Sequence, residues 1–508
     1  MKKIAKGAGI IFIGYGLGAL LNLAVRVIIV RYVAVEEYGL LSLGLAITSI
    51  LVSICSLALV RSIARFISAL MAKGDYARVW GIIKAAIFFA LLGSVISVMV
   101  VFFLAQLGVF DLLHKSGLSG IVKILALTVP FYVIVNILVS IFQGFGEVKP
   151  KVYFYNIFSY LSLIIFLGLA VVLSRGLSGV IFAYLSSTIL TAVILTIYAV
   201  KNLPKHLPKA KHLPMNRELL LFSLPILGIV ILNIVIHWSD TLLLGYYKTE
   251  ATVGMYNAAR PLSQTINFVL ESTSFIFLPV ISFLYSRKEF DNMRKIYVST
   301  SKWIFAASLP IFMVLFLAPR SCIGILFGKE YLQSDMALRF LCLGFFFHTF
   351  MGLNGMTLIV IGRQAFSAIN FLLGAAVNLF LNILLIPDYG LSGAAIATAV
   401  SYIIINILAS VEVYIFARIH LFKKYYLRPA ALSVILSLLF FSLVKDIIAS
   451  NNLFIFPLAV VILLIALMSI LFTKSLEKSD LIILDNISSK LGARFSFKDS
   501  KLKKFLQE

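Results

Sequence analysis

Apolar residues run in long, nearly unbroken blocks along this chain, and polar residues collect in short stretches between them. The first block starts at Ile10, directly after MKKIAKGAG, and continues to Val30. It is too long for the apolar centre of a secretory leader and no small-residue cleavage site follows, so it predicts a membrane helix. A helix needs about 20 apolar residues to cross the hydrocarbon of a bilayer. Blocks of that kind recur at 8–30, 39–60, 80–106, 121–143, 152–173, 178–200, 219–245, 254–284, 303–318, 336–361, 366–386, 391–417, 430–447 and 453–473. The block at 303–318 is the shortest, with ILFG near 325 either completing it or lying in the interface. The pattern predicts an all-α polytopic membrane protein with 14 transmembrane helices.

Composition removes the competing classes. Hydrophobic residues make up 61% of the 508 positions and charged residues 13%, where a soluble domain carries about 25% charge. Mean hydropathy is +1.05. Such a chain cannot cover a water-facing surface, so a soluble enzyme and a nucleic-acid-binding domain are both excluded. The three cysteines, Cys55, Cys322 and Cys342, have no metal-ligand spacing and admit no complete pairing.

The net charge of +23 changes the picture from a set of spans to an oriented one. With the N-terminus inside, the inner segments hold 33 of the 44 Lys and Arg, the outer loops seven and the spans four. The positive-inside bias therefore puts both termini on the cytoplasmic side of the cell membrane. The 201–218 segment is a basic cytoplasmic linker. The 474–508 tail is basic and amphipathic in places, as expected of an interfacial segment on anionic lipid headgroups.

The chain also repeats itself. RGLSGVIFAYLSS at 175–187 aligns with YGLSGAAIATAVS at 389–401, an offset of 214, and Asn156 falls on Asn370 at the same offset. RVIIVRYVAVEEYG at 26–39 aligns with DTLLLGYYKTEATVG at 240–254 with one insertion. Six spans per repeat give two pseudo-symmetric six-helix lobes, 1–200 and 219–420, that enter the membrane with the same polarity. A parallel repeat of this kind has its pseudo-two-fold along the membrane normal and a cleft between its halves. The last two spans, within 421–473, lie outside the repeat.

Charges inside apolar spans are costly and mark cavities or partners. Arg26 lies in the outer part of the first span, with Asp240 as its repeat-mate in the seventh, and Arg260 sits about two turns into the eighth. Arg26 and Arg260 are candidate anion ligands. Asp240 is a candidate counter-ion to them or a site for a coupling cation, proton or sodium. Glu271, deep in the eighth span, is either a buried protonated acid or a second coupling-ion site. Arg61 and Arg65 share a face at the inner end of the second span, as cavity cations or as side chains reaching the interface. Prolines 130, 225, 279 and 310 are placed to bend helices. The chain carries no Walker A loop and no HExxH, so any driving force is a gradient or the substrate itself. No catalytic residue and no metal ligand is assigned.

These blocks carry a family likeness. GLGALLNLAVRVIIVRYVAVEEYGLLSLGLAI resembles the first two helices of Wzx-type polysaccharide flippases, which belong to the multidrug/oligosaccharidyl-lipid/polysaccharide exporter superfamily. DTLLLGYYKTEATVGMYNAARPLSQ resembles their spans 7–8, and NILLIPDYGLSGAAIATAVSY their spans 11–12. The resemblance covers about residues 1–420. It implies two six-helix lobes around a cationic cavity and the transfer of a polyprenyl-(pyro)phosphate-linked oligosaccharide from the inner to the outer leaflet. Arg26 and Arg260 match arginines of the related lipid II flippases; Arg61 and Arg65 match less closely. The implied partners are the lipid-linked oligosaccharide and the glycosyltransferases or polymerase of its pathway. Three rivals stand beside it: a cation-coupled drug antiporter using Asp240 and Glu271, a membrane-embedded polysaccharide polymerase, and a passive scaffold. The short loops disfavour the polymerase, and the repeat with its buried charges disfavours the scaffold.

Overall fold

The computed structural model describes residues 2–56, 59–207, 213, 215–419 and 424–473. The amphipathic tail, and positions 208–212 and 214 of the basic linker, lie outside the described residues. Among the described residues the elements are all helical. In chain order they are α1 (Lys2–Tyr32), α2 (Val35–Cys55), α3 (Leu59–Ala72), α4 (Tyr76–Gln106), α5 (Leu118–Ala126) and α6 (Val129–Gly144). A π-helical stretch (Lys151–Phe158) leads into α7 (Ser159–Val172), followed by α8 (Gly176–His206), α9 (Asn216–Tyr247), α10 (Glu250–Gln264), α11 (Phe268–Ser286) and α12 (Phe290–Leu317). The chain continues through α13 (Pro319–Leu326), α14 (Asp335–Met351), α15 (Leu353–Val360), α16 (Gln364–Ala417), α17 (Lys424–Ser450) and α18 (Ile455–Phe472).

Ten of these helical segments are long and apolar enough to cross a bilayer, and twelve if two bent pairs each count as one span. The bent pairs are α5 with α6, at 40°, and Glu250–Ser274 with Phe277–Ser286, at 41°, a bend inside α11. The outward faces are those of a lipid-solvated protein: Ile165, Val172, Leu443 and Phe472 are 70–80% exposed.

Several predicted boundaries shift. The second span ends at Cys55, and Arg61 and Arg65 belong to the separate helix α3 that follows. The block at 303–318 is the end of a 28-residue helix reaching back to Phe290, because polar residues at its start hide it from a hydropathy window. ILFG near 325 does not extend that span; its first two residues close the short helix α13. The eighth span is broken at Thr265–Asn267 into α10 and α11. The helix α16 is two helices meeting at Gly390, whose φ of 52° and ψ of −127° suit a residue without a Cβ.

Packing groups the chain into two compact units. One holds the residues up to Leu262 together with Leu326–Ala337 and Phe371–Ser401; the other holds Ser263–Ile325, Leu338–Asn370 and the described residues from Tyr402 onward. The first unit has an apolar core from α3, α4, α6 and α8, with Ile63, Ile67, Ile82, Phe142 and Leu195 buried. In the second, α17 and α18 pack on α12. A buried polar chain there links Tyr297 to Asn354, Asn354 to Ser410 at 2.6 Å, and Asn406 to His348 at 3.1 Å.

Within the first unit α2 and α10 cross at two glycines. A Cβ on Gly39 would overlap the Glu250 carbonyl oxygen and come within 3.1 Å of the Gly254 nitrogen. A Cβ on Gly254 would overlap the Val35 carbonyl oxygen and come within 3.2 Å of the Gly39 nitrogen. Gly39 and Gly254 are repeat-mates, as are Val35 and Glu250 in the same alignment. The contact is therefore reciprocal, each glycine seated on its partner's helix, as a local two-fold requires.

Candidate functional site

Asp240 sits on α9 with its side chain fully buried. Its Oδ2 accepts hydrogen bonds from Tyr256 Oη and Thr398 Oγ1, each at 2.6 Å. Its Oδ1 accepts from Asn382 Nδ2 at 2.7 Å and from Asn378 Nδ2 at 3.4 Å. Ser239 beside it donates to Asn378 Oδ1 at 2.7 Å. Arg260 completes the ring of donors, with Nη1 at 3.9 Å from Oδ2 and a second bond from Nη1 to the His237 carbonyl. A buried carboxylate is tolerated only when its lone pairs are satisfied and its charge is met. Here four neutral donors and one guanidinium do both.

Arg26 is placed differently. Its Nη1 donates to Tyr38 Oη at 3.4 Å, and its buried Nε has no hydrogen-bond partner. Among the described residues it makes no ion pair. The link towards Asp240 is indirect: Tyr38 donates to the Asn257 carbonyl at 3.3 Å, and Thr241 donates to Asn257 Oδ1 at 3.1 Å. The expected partnership is thus corrected. Asp240 is the counter-ion of Arg260 and not of Arg26, because the Tyr38 phenol stands where the Arg26 guanidinium would need an acid.

The other predicted residues separate from this cluster. Arg65 is exposed on α3, and the Arg61 side chain lies outside the described residues. Glu271 is exposed in the first turn of α11 rather than buried among the helices. Glu271 also belongs to the second compact unit, whereas Asp240 and Arg260 belong to the first. Tyr256, Asn378, Asn382 and Thr398 escaped the sequence analysis. Asn378 and Asn382 did carry a signal, two amides at i, i+4 on one face of an apolar helix.

Three of the sparse loop cations cap helix ends. Lys115 Nζ donates to the Lys248 carbonyl at 2.6 Å and lies 3.8 Å from Glu250. Lys248 Nζ donates to the Pro387 carbonyl at 2.6 Å, and Arg31 Nε to the Leu326 carbonyl at 3.0 Å. Cations at helix C-termini satisfy orphan carbonyls and the negative end of the dipole. These side chains are occupied structurally, whereas Arg26 keeps a buried Nε without a hydrogen-bond partner.

Known proteins resemble the chain in both sequence and fold. An uncharacterized membrane protein of Methanocaldococcus jannaschii, MJ1068, is 25% identical over 435 residues, 80% of this chain and 82% of that protein. The probable low-salt glycan biosynthesis flippase Agl15 of Haloferax volcanii is 26% identical over 166 residues, 32% of this chain and 35% of that protein. The lipid II flippase MurJ in an inward closed conformation superposes with a TM-score of 0.74 at 17% identity, over 93% of this chain and 100% of that one. An inward-facing multidrug transporter of the MATE family superposes at 0.61 and 15% identity, over 79% and 94%. At these identities the superpositions speak for the fold. The polysaccharide biosynthesis protein family matches residues 4–285. This multi-pass membrane protein belongs to the polysaccharide biosynthesis protein family, in agreement with the Wzx-type likeness of its blocks.

Proposed function

We propose that the protein is a flippase that carries a polyprenyl-(pyro)phosphate-linked oligosaccharide from the inner to the outer leaflet of the cytoplasmic membrane. Twelve spans in two pseudo-symmetric six-helix lobes, with two further helices beside them, alternate access to a cleft. The observation that carries this reading is Arg26, a guanidinium inside an apolar helix whose Nε has no partner and whose bonded neighbour is a neutral phenol. Such a charge favours an anion with planar oxygen pairs, as a phosphate offers. Arg260 and Asp240 hold α10 against α9 beside it. The family of glycan-assembly proteins and the MurJ-like fold support a transporter over an enzyme.

Depletion of the protein is expected to make lipid-linked oligosaccharide accumulate on the inner leaflet, with less finished glycan outside. Arg26→Ala is expected to do the same while the protein stays inserted and abundant, and Arg26→Lys to rescue in part because an ammonium lacks the bidentate fork. A fully active Arg26→Ala protein overturns the phosphate assignment. The second reading is a cation-coupled antiporter, and it rests on Asp240. A hard cation would find oxygens there from Tyr256, Thr398 and the flanking amides. As arranged, the carboxylate is taken up by N–H and O–H donors and by Arg260, an arrangement that serves a counter-ion better than a coupling site. Unchanged glycans and raised sensitivity to cationic dyes on depletion are the outcome that favours the antiporter.

A further inference from the structure

The hairpin of α7 and α8 carries a groove of about 290 Å³ that the phosphate assignment does not use. Its lining runs from Phe166 to Leu173 at the end of α7 and from Arg175 to Ser186 at the start of α8. Small residues form the floor: Ala170, Gly179 and Ala183 are buried. A Cβ on Gly179 would come within 2.6 Å of the Arg175 Cβ and 2.9 Å of the Ala170 Cβ, so the glycine lets the two helices close there. Large residues form the walls, and Leu169, Leu173 and Phe182 are exposed. Ile165, Leu169 and Val172 follow each other at i, i+4 and i+7 and are all exposed. The open wall is therefore one apolar face of α7, and it meets hydrocarbon.

One end of the groove is positive. Arg175 immediately precedes α8 and is exposed. Among the described residues its guanidinium makes no hydrogen bond or ion pair. No acid stands between Glu147 and Glu218 in the sequence, so neither helix of the hairpin neutralises it. The N-terminal dipole of α8 adds to the same field. The second repeat shows the equivalent corner closed. Gly176 and Gly390 are repeat-mates at the 214-residue offset, with φ of 54° and 52°. A Cβ on Gly390 would meet Lys248 Cε at 3.7 Å, and Lys248 Nζ is fixed on the Pro387 carbonyl. A Cβ on Gly176 would meet nothing within 4 Å. The counterpart of Arg175 is Tyr389, which carries no charge. One corner is thus filled by the chain's own cation, and the other is open beside an unpaired one. A hydrocarbon-facing groove with a cation at one end is complementary to a lipid, its chain in the groove and its phosphate at the guanidinium. At this volume the groove takes part of one chain and not a whole lipid.

We propose that the α7–α8 groove binds an anionic phospholipid of the surrounding bilayer, with one hydrocarbon chain over Ala170, Gly179 and Ala183 and the phosphate held by Arg175. The site does not depend on the flippase reading, and its test reads binding and not transport. The full-length protein is placed in phosphatidylcholine nanodiscs with a trace of phosphatidylglycerol or phosphatidylcholine carrying a photoactivatable diazirine on one chain. Cross-links are then mapped by peptide mass spectrometry. Phosphatidylglycerol should label the 166–186 segment about fivefold more than phosphatidylcholine, the gain from one basic side chain at the membrane surface. Arg175→Gln should bring phosphatidylglycerol down to the phosphatidylcholine level. Phosphatidylcholine labelling, unchanged in that variant, is the folding control. Ser186→Leu, which fills the groove from its far end, should lower labelling by both lipids. Equal labelling by the two lipids in the wild type, as loosely surrounding lipid would give, overturns the proposal. An Arg175→Gln protein that keeps the preference overturns it as well. Displacement of the phosphatidylglycerol label by chain-free glycerophosphoglycerol would make this a headgroup site and not a lipid site. Displacement by less polyprenyl phosphate than unlabelled phosphatidylglycerol would give the groove to the transported lipid instead.

Discussion

Asp240 and Arg26 began as repeat-mates in equivalent helices and have opposite fates. Asp240 is fully buried and met on both oxygens, whereas Arg26 keeps a buried N–H without a partner. The two therefore respond differently to mutation. Arg260→Ala leaves the Asp240 charge without its guanidinium, and Asp240→Ala leaves Arg260 without its acid. Breaking a buried pair from one side costs about 3–5 kcal/mol, so each single variant is expected to lower abundance and melting temperature. The double variant Arg260→Ala with Asp240→Ala removes both charges and should recover much of that loss. Parallel measurements of thermal unfolding and transport separate the roles: a stable but inactive double variant shows that Arg260 also serves the substrate. Arg26→Ala with Asp240→Ala has no such compensation, and a double variant as stable as the wild type would contradict the assignment of Arg260 as the partner of Asp240.

The helices differ in what their contacts tolerate. Gly39 on α2 and Gly254 on α10 each face backbone atoms, which cannot retract as a flexible side chain can. Gly39→Ala and Gly254→Ala should each destabilise by ~1–3 kcal/mol, as overpacking does, and by similar amounts because the contact is reciprocal. Gly168→Ala on α7, where an added Cβ meets nothing within 4 Å, is the control and should be neutral or slightly stabilising. Thermal melting of the three variants checks this, and equal melting for all three would remove the close crossing. Spans of this kind were legible because lipid selects for unbroken apolar blocks. The same averaging hid the break at Thr265–Asn267, which carries neither Gly nor Pro, and the π-helical turn at Lys151–Phe158. At the site, Arg26, Arg260 and Asp240 stood out as charges among apolar residues. Tyr256, which donates to Asp240, did not, since a tyrosine near an apolar run looks like packing. Asn382 and Thr398 reach Asp240 from 142 and 158 residues away, a pairing that only folding brings about.

At the scale of the whole molecule, the cations decide how the protein lies in the membrane. The structure gives three of the seven predicted outer cations a local task, since Arg31, Lys115 and Lys248 cap helix carbonyls. That leaves few on the outer side to compete with the 33 assigned inside. Single cysteines test that split, and the native thiols provide a quiet background: Cys55, Cys322 and Cys342 are all buried and free. Burial pushes the Cys322 thiol up to about 12, so its labelling should stay flat between neutral pH and about pH 9, where an ordinary thiol gains reactivity. Against that background, Lys209→Cys in the basic linker and Asp291→Cys at the start of α12 should react in intact cells only with membrane-permeant maleimides. Tyr389→Cys, at a position 63% exposed beside Gly390, should react with impermeant ones. Reaction of Lys209→Cys with an impermeant reagent would invert the topology.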